Sequence, residues 1–102
     1  MTVDITPQQL AEQLKHDASL QLVDVRESAE ISEGRIPGAE HIPLGELSAR
    51  SGELDQSRPV VVVCRSGRRS AVGADHLAAT GFTAYTMTGG MLDWAAGGLP
   101  VA

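Results

Sequence analysis

The sequence predicts a small α/β domain built on a mostly parallel sheet with helices on both faces. Two apolar segments, residues 20–25 (LQLVDV) and 60–64 (VVVVC), have the continuous apolar character of parallel strands that are buried on both sides. Segments with helical signals alternate with the strand candidates, as in domains with a parallel sheet. Since 102 residues suffice for one core, we expect a single domain over residues 1–102.

The helix signals between the strands are local. Thr6, Pro7 and Gln9 supply an N-cap, a first-turn proline and a capping-box side chain for a helix that ends near Lys15. The remaining predicted strands are residues 3–5, 40–42 and 84–87, and the remaining predicted helices are residues 28–33 with Ser28 as the cap, residues 44–50, a longer helix from about residue 68 that ends at Gly81, and residues 91–96.

The charge balance and the shortage of aromatic residues exclude two classes of partner. The formal net charge is −5, and Phe82, Tyr85 and Trp94 are the only aromatic residues. Nucleic acids and anionic membrane surfaces both require basic surfaces, and nucleic acids also favour aromatic stacking. Three of the eight basic residues nevertheless lie within the six residues that begin at Cys64. We therefore expect a small anion to bind at that point.

The single cysteine, the N-terminal residues and the histidine spacing indicate the cellular compartment and whether a metal is bound. Cys64 cannot form a disulfide within the chain, and the first ten residues lack the basic and apolar regions of a signal peptide. We expect a cytoplasmic, monomeric protein. His16, His41 and His76 are scattered without metal-ligand spacing, so neither a metal nor a cofactor is expected.

The candidate site is the loop CRSGRRS at residues 64–70, which lies between the valine strand and the longest predicted helix. Ligands bind to parallel sheets at the carboxyl ends of the strands, where Cys64 is placed. A lone cysteine after four valines is often a small buried apolar residue, but the arginines that follow cannot enter the core with it. We therefore interpret Cys64 as a reactive nucleophile.

The rest of the loop favours the thiolate form of Cys64, which is the reactive form of a thiol. A helix N-terminus supplies positive potential and unpaired N–H groups, and Gly67 allows the loop to curl into an anion nest. The predicted anion cradle consists of Arg65, Ser66, Gly67, Arg68, Arg69 and Ser70. Asp24 and Arg26 end a second strand and are expected to support the loop rather than to touch substrate.

The loop CRSGRRS resembles the active-site loop of rhodanese-fold sulfurtransferases. The segments at residues 22–27 (LVDVRE), 34–43 (GRIPGAEHIP, preceded by Glu30) and 97–100 (GGLP, preceded by Gly89, Gly90 and Trp94) resemble further elements of that family, in the same order. The resemblance spans essentially the whole chain. One departure is Arg35, which stands where the family often has a histidine that is usually structural.

The resemblance implies a two-step reaction without a cofactor. Cys64 would attack the outer sulfur of thiosulfate or a similar anionic donor, release sulfite and keep a persulfide. The backbone N–H groups of residues 65–69 would hold the persulfide charge, and the loop arginines would bind the donor. Because the chain has no second thiol, the sulfur must pass to an external acceptor, namely a small thiol, cyanide or a thioredoxin-like protein.

Three alternatives use the same fold differently. Related cell-cycle phosphatases and arsenate reductases have five residues between the cysteine and the arginine of their loop, whereas four separate Cys64 from Arg69, with Ser70 next. Phosphate ester cleavage also requires a general acid. No residue is an obvious acid, although Asp24 and Glu27 could lie near the site. A non-catalytic partner-binding module would typically lack the cysteine. A sulfur carrier that passes persulfide between proteins remains open, because it uses the same residues.

Overall fold

A five-stranded parallel sheet forms the centre of the protein, which is described over residues 3–102 by a computed structural model. Every strand pairing is parallel, and the strands lie in the order β1-β5-β4-β2-β3. The strands are β1 (Val3–Ile5), β2 (Gln21–Asp24), β3 (Glu40–His41), β4 (Val60–Val63) and β5 (Ala84–Met87). The predicted α/β fold class is confirmed, and each predicted strand is present with its ends shifted by no more than one residue.

Five helices connect or follow the strands. They are α1 (Pro7–His16), α2 (Ser28–Ile31), α3 (Leu47–Arg50, between the 3₁₀ turns Leu44–Glu46 and Ser51–Glu53), α4 (Arg68–Ala79) and α5 (Gly90–Ala96). The longest is α4 with 12 residues, and within residues 3–102 no helix combines the length and apolar character that a membrane crossing requires.

The predicted helix cap is confirmed at α1 and is wrong at α2. At the start of α1, the Thr6 hydroxyl accepts the Gln9 N–H at 3.1 Å and the Gln9 side chain accepts the Thr6 N–H at 3.0 Å. The prediction that Ser28 caps α2 is wrong, because the cap is Glu27. The Glu30 carboxylate accepts the Glu27 N–H at 3.0 Å, so a carboxylate rather than a hydroxyl stabilises this helix start.

The valine strand β4 is covered on both faces, as its unbroken apolar sequence predicts. All four valines are 0% exposed. Val60 and Val62 pack in one cluster with Leu77 of α4, whereas Val61 and Val63 pack in a second cluster with Trp94 of α5. Each fully buried valine contributes about 1.5–3 kcal/mol relative to an exposed one. Helices on both faces therefore hold β4 in the middle of the sheet, and the residue after its carboxyl end is Cys64.

Candidate active site

Cys64 occupies a tight connection between β4 and α4. The residue is 0% exposed, and only three residues separate it from the first residue of α4. Gly67 closes this connection with φ of 101°, a left-handed conformation that favours glycine. A Cβ atom at Gly67 would also lie 3.1 Å from the backbone nitrogen of Gly89. The loop therefore depends on a glycine for both its conformation and its close contact with the turn before α5.

Several donors surround the Cys64 sulfur. The Gly67 N–H donates to Sγ at 3.0 Å, and the Ser70 hydroxyl oxygen lies 3.5 Å from Sγ. Burial raises the pKa of the Cys64 thiol, but the Ser70 hydroxyl and the N–H groups of Ser70, Gly67 and Ser66 outweigh it and hold the pKa below its ordinary value. This arrangement stabilises a thiolate that is shielded from bulk water.

The Ser70 hydroxyl is itself held by a second hydroxyl. Ser70 Oγ lies 2.7 Å from Thr86 Oγ1, and the two residues are 0% and 4% exposed. Thr86 belongs to β5 and pairs in register with Val62 of β4, which places it beside the strand that precedes Cys64. Two buried hydroxyls thus form a short hydrogen-bonded chain that ends at the sulfur.

The start of α5 fixes the backbone of the cysteine loop from the other side. The Met91 N–H donates to the Cys64 carbonyl at 2.8 Å, and the Leu92 N–H donates to the Arg65 carbonyl at 3.0 Å. Gly90 makes this approach possible, because a Cβ atom there would lie 2.4 Å from the carbonyl carbon of Arg65. First-turn N–H groups of one helix therefore satisfy carbonyls of the loop that opens another helix.

Arg69 is paired with a carboxylate of the same chain. Its two terminal nitrogens each donate to the Glu30 carboxylate at 2.7 Å, in a bidentate arrangement that joins α4 to α2. The Arg69 guanidinium, helped by the Glu27 N–H, lowers the pKa of Glu30 to about 2. One positive charge of the loop is therefore balanced by the protein itself before any substrate binds.

The other two loop arginines face solvent. Arg65, Ser66 and Arg68 are all exposed. Within residues 3–102, neither Arg65 nor Arg68 forms an ion pair with a carboxylate. Two uncompensated positive charges thus lie on the solvent side of the buried thiol and create a local positive potential on an acidic protein.

Asp24 and Arg26 form a buried ion pair behind the site. They are 1% and 3% exposed, and Arg26 Nη2 donates to Asp24 Oδ2 at 2.8 Å. Arg26 also donates to the carbonyl oxygens of Glu30 and Gly34, at 3.2 and 2.8 Å. Both charges are fully engaged, so the pair ties the end of β2 to α2 and thereby supports Glu30. This placement leaves neither side chain open to solvent.

Of the predicted site residues, Gly67 and Ser70 lie around the sulfur atom of Cys64. Of the three loop arginines, Arg69 is paired with a carboxylate, whereas the other two are not paired within residues 3–102. Two contributors are absent from the set of residues that the sequence singled out for the site. Thr86 is a polar residue in a buried strand, on the same face as Ala84, and that misfit is the signal that could have indicated it. Glu30 lies 39 residues from Arg69, and no local pattern marks that pairing.

The arrangement is suited to a nucleophile that carries negative charge in a cradle of N–H groups. The carboxylates of Asp24 and Glu30 are both engaged in ion pairs, so neither is free to act as a general acid beside the sulfur. Within residues 3–102, no three histidine, cysteine or carboxylate side chains cluster as metal ligands.

Comparison with known proteins finds one matching family model and several similar proteins. The family model described as "Rhodanese-like domain" matches residues 6–97. The chain is 38% identical over 91 residues to the putative sulfurtransferase YtwF of Bacillus subtilis, covering 89% of this chain and 88% of that protein. It is 35% identical over 83 residues to the thiosulfate sulfurtransferase GlpE of Shewanella oneidensis, covering 80% and 82%.

A solved structure shows the same architecture. The rhodanese-related protein of Thermoplasma volcanium superposes with a TM-score of 0.91 at 30% identity, covering 98% of this chain and 97% of that chain. Both the sequence match and the shared fold extend over nearly the entire chain. The protein belongs to the family of rhodanese-like domains.

Proposed function

We propose that this protein is a sulfurtransferase that carries sulfane sulfur as a persulfide on Cys64. The observation that carries the proposal is the set of donors around Sγ, with the Gly67 N–H at 3.0 Å and a thiol pKa below its ordinary value. A thiolate is the attacking species in sulfur transfer, and the same N–H groups would hold the negative charge of the persulfide. The relatives named as sulfurtransferases support this reading.

In the first step, the Cys64 thiolate attacks the outer sulfur of an anionic donor such as thiosulfate. A bond forms between Sγ and that sulfur, while the sulfur–sulfur bond of thiosulfate breaks and its electron pair leaves with sulfite. Sulfite needs no protonation to depart, which suits a site where Asp24 and Glu30 are both engaged in ion pairs. Arg65 and Arg68, both exposed and without a carboxylate partner within residues 3–102, would attract the donor.

In the second step, an acceptor thiolate or cyanide attacks the outer sulfur of the persulfide. The new bond forms at the acceptor, and the electron pair of the broken sulfur–sulfur bond returns to Cys64 as a thiolate. Cys64 is the only cysteine in the chain, so the acceptor has to be external. Two half-reactions through one covalent intermediate give ping-pong kinetics. We place the reaction in the cytoplasm, where reducing conditions keep a lone reactive thiol available.

The test is the intact mass of the reduced protein after incubation with thiosulfate and removal of small molecules. The expected result is a gain of one sulfur atom that is absent in Cys64→Ala and is reversed by cyanide. Cys64→Ala is a suitable control because it removes only the sulfur from a buried position. No gain of sulfur in a protein whose Cys64 is still alkylated by iodoacetamide would contradict the thiosulfate reaction.

A further inference from the structure

A groove of about 260 Å³ opens beside the cysteine loop, and Arg65 forms part of its wall. The apolar part of the lining comes from the end of the chain: Met91, Leu92, Ala95 and Val101. Leu92 is 48% and Val101 is 53% exposed, and these are two of the four large apolar side chains that are exposed within residues 3–102. Exposed apolar residues are therefore concentrated next to the residue that follows Cys64.

A contiguous apolar surface beside a reactive group is typical of a binding site, whereas isolated exposed apolar residues are ordinary. The backbone already ties this surface to the loop, because the Leu92 N–H donates to the Arg65 carbonyl at 3.0 Å. A molecule seated in the groove would consequently contact the residue that adjoins the nucleophile. Cyanide and other small hydrophilic acceptors have no apolar part with which to use such a surface.

The charged residues that line the groove determine which charges a bound molecule can carry. Arg65 has no carboxylate partner within residues 3–102. Its exposed side chain therefore offers one unpaired positive charge where the groove meets the residue that follows Cys64. Glu33 and Arg26 also line the groove. Glu33 adds one negative charge, whereas the charge of Arg26 is balanced by Asp24 in their buried ion pair. An occupant with a single carboxylate can pair with Arg65, whereas a second carboxylate would meet Glu33.

We propose that this groove binds the thiol-bearing segment of a protein acceptor, with a large apolar side chain in the groove and one carboxylate on Arg65. The proposal rests on the proposed function, in which an external thiolate attacks the outer sulfur of the Cys64 persulfide. Binding beside Arg65 would place that thiolate next to the residue that follows Cys64 in the loop. In the transfer, the new sulfur–sulfur bond forms on the acceptor, and the released electron pair returns to Cys64.

The experiment uses two blocked peptides as acceptors for the persulfidated full-length protein. One peptide is Gly-Leu-Asp-Cys-Gly and the other is Gly-Ser-Asn-Cys-Gly, so they differ in the apolar side chain and the carboxylate alone. We expect the first peptide to remove sulfur about tenfold faster at equal thiolate concentration, from the burial of part of one leucine side chain. The comparison is made at equal thiolate because the Asp carboxylate raises the pKa of the neighbouring peptide thiol. Intact mass of protein and peptide follows the transfer.

Two variants and a matched control locate the effect. Val101→Asp and Ala95→Glu place a carboxylate in the groove and are expected to abolish the preference for the first peptide. Val3→Asp makes the same exchange at an equally exposed valine, 58% exposed at the amino end of β1, and is expected to keep the preference. The ratio of the two peptide rates within each variant is the readout, so a general effect of the new carboxylate on anions near Arg65 cancels.

Binding of the same peptides to Cys64→Ala, measured by calorimetry, tests the groove without any sulfur chemistry. We expect the Leu-Asp peptide to bind about tenfold more tightly. Failure of Cys64 to load from thiosulfate or to discharge to cyanide contradicts the proposed function and leaves this binding result intact. Equal binding and equal transfer for the two peptides would overturn the groove proposal, even if the protein loads and discharges normally.

Discussion

The hydroxyl of Ser70 lies between the sulfur of Cys64 and the hydroxyl of Thr86, 3.5 Å from Sγ and 2.7 Å from Thr86 Oγ1. Both hydroxyls are buried, so water does not substitute for either. When Cys64 is a thiolate, Ser70 donates to Sγ, and Thr86 is the group within hydrogen-bond reach that donates to Ser70 Oγ. Donation along the chain strengthens the bond to the charged sulfur. A residue on β5 therefore contributes to the charge state of a thiol at the end of β4.

Thr86→Val is expected to raise the pKa of the Cys64 thiol, because it removes the donor behind Ser70 at nearly constant volume. Alkylation by iodoacetamide at neutral pH should slow about fivefold, which corresponds to part of one hydrogen bond to a charged group. The pH dependence of the alkylation rate measures the change. Thr86→Ser should restore the wild-type profile. Thr88→Val, two residues further along, should not change it, and equal profiles for both valine variants would refute the relay.

Gly90→Ala is expected to destabilise the fold and to disturb the cysteine loop together. Gly90 has φ of 60°, and a Cβ atom would lie 2.4 Å from the carbonyl oxygen of Arg65 and 2.5 Å from the nitrogen of Ser66. The loss should be at least about 2 kcal/mol in the free energy of unfolding, from the left-handed conformation and the clash. Urea denaturation measures it. Gly45→Ala is the control, because a Cβ atom there meets no atom within 4 Å.

The fold was predictable to the extent that each signal is local. Four successive valines identify a strand covered on both faces, and the Thr6–Gln9 capping box identifies the start of α1. The cysteine at the carboxyl end of that strand followed from the same reading. The partners of the loop were not predictable, because Glu30 and Thr86 reach Arg69 and Ser70 across 39 and 16 residues of sequence. Such pairings depend on strand order and on the position of α2 relative to α4, which no local pattern encodes.

The Glu30–Arg69 ion pair predicts a pH dependence of stability. The pKa of Glu30 falls from 4.5 to about 2 in the folded protein. A lowered pKa in the folded state means that the carboxylate contributes stability above pH 4.5 and loses it as the pH falls towards 2. Wild type should exceed Glu30→Gln by about 1 kcal/mol at neutral pH, since the pair is partly exposed, and the two should converge near pH 2.

Urea denaturation at several pH values tests this difference. Glu40→Gln serves as the control, since it neutralises an exposed carboxylate on β3. If the stability gap between wild type and Glu30→Gln were constant between pH 6 and pH 2, the ion pair would not be the source of the stabilisation.

The same ion pair predicts how the site handles an anionic donor. Glu30 cancels the charge of Arg69, so Glu30→Gln should release that charge and lower the KM for thiosulfate, whereas Arg69→Gln should leave a bare carboxylate beside the loop and raise it. Each substitution should change the KM for thiosulfate by about threefold to tenfold, because solvent partly screens the single charge that is altered. The double variant should return close to the wild-type KM, because neither charge remains. Steady-state kinetics at low ionic strength measures all four proteins, and the differences should shrink as salt is added. The contrary outcome is a KM that rises in Glu30→Gln as much as in Arg69→Gln. Charge cancellation would then not govern donor binding, and the role of Glu30 would be to position the arginine.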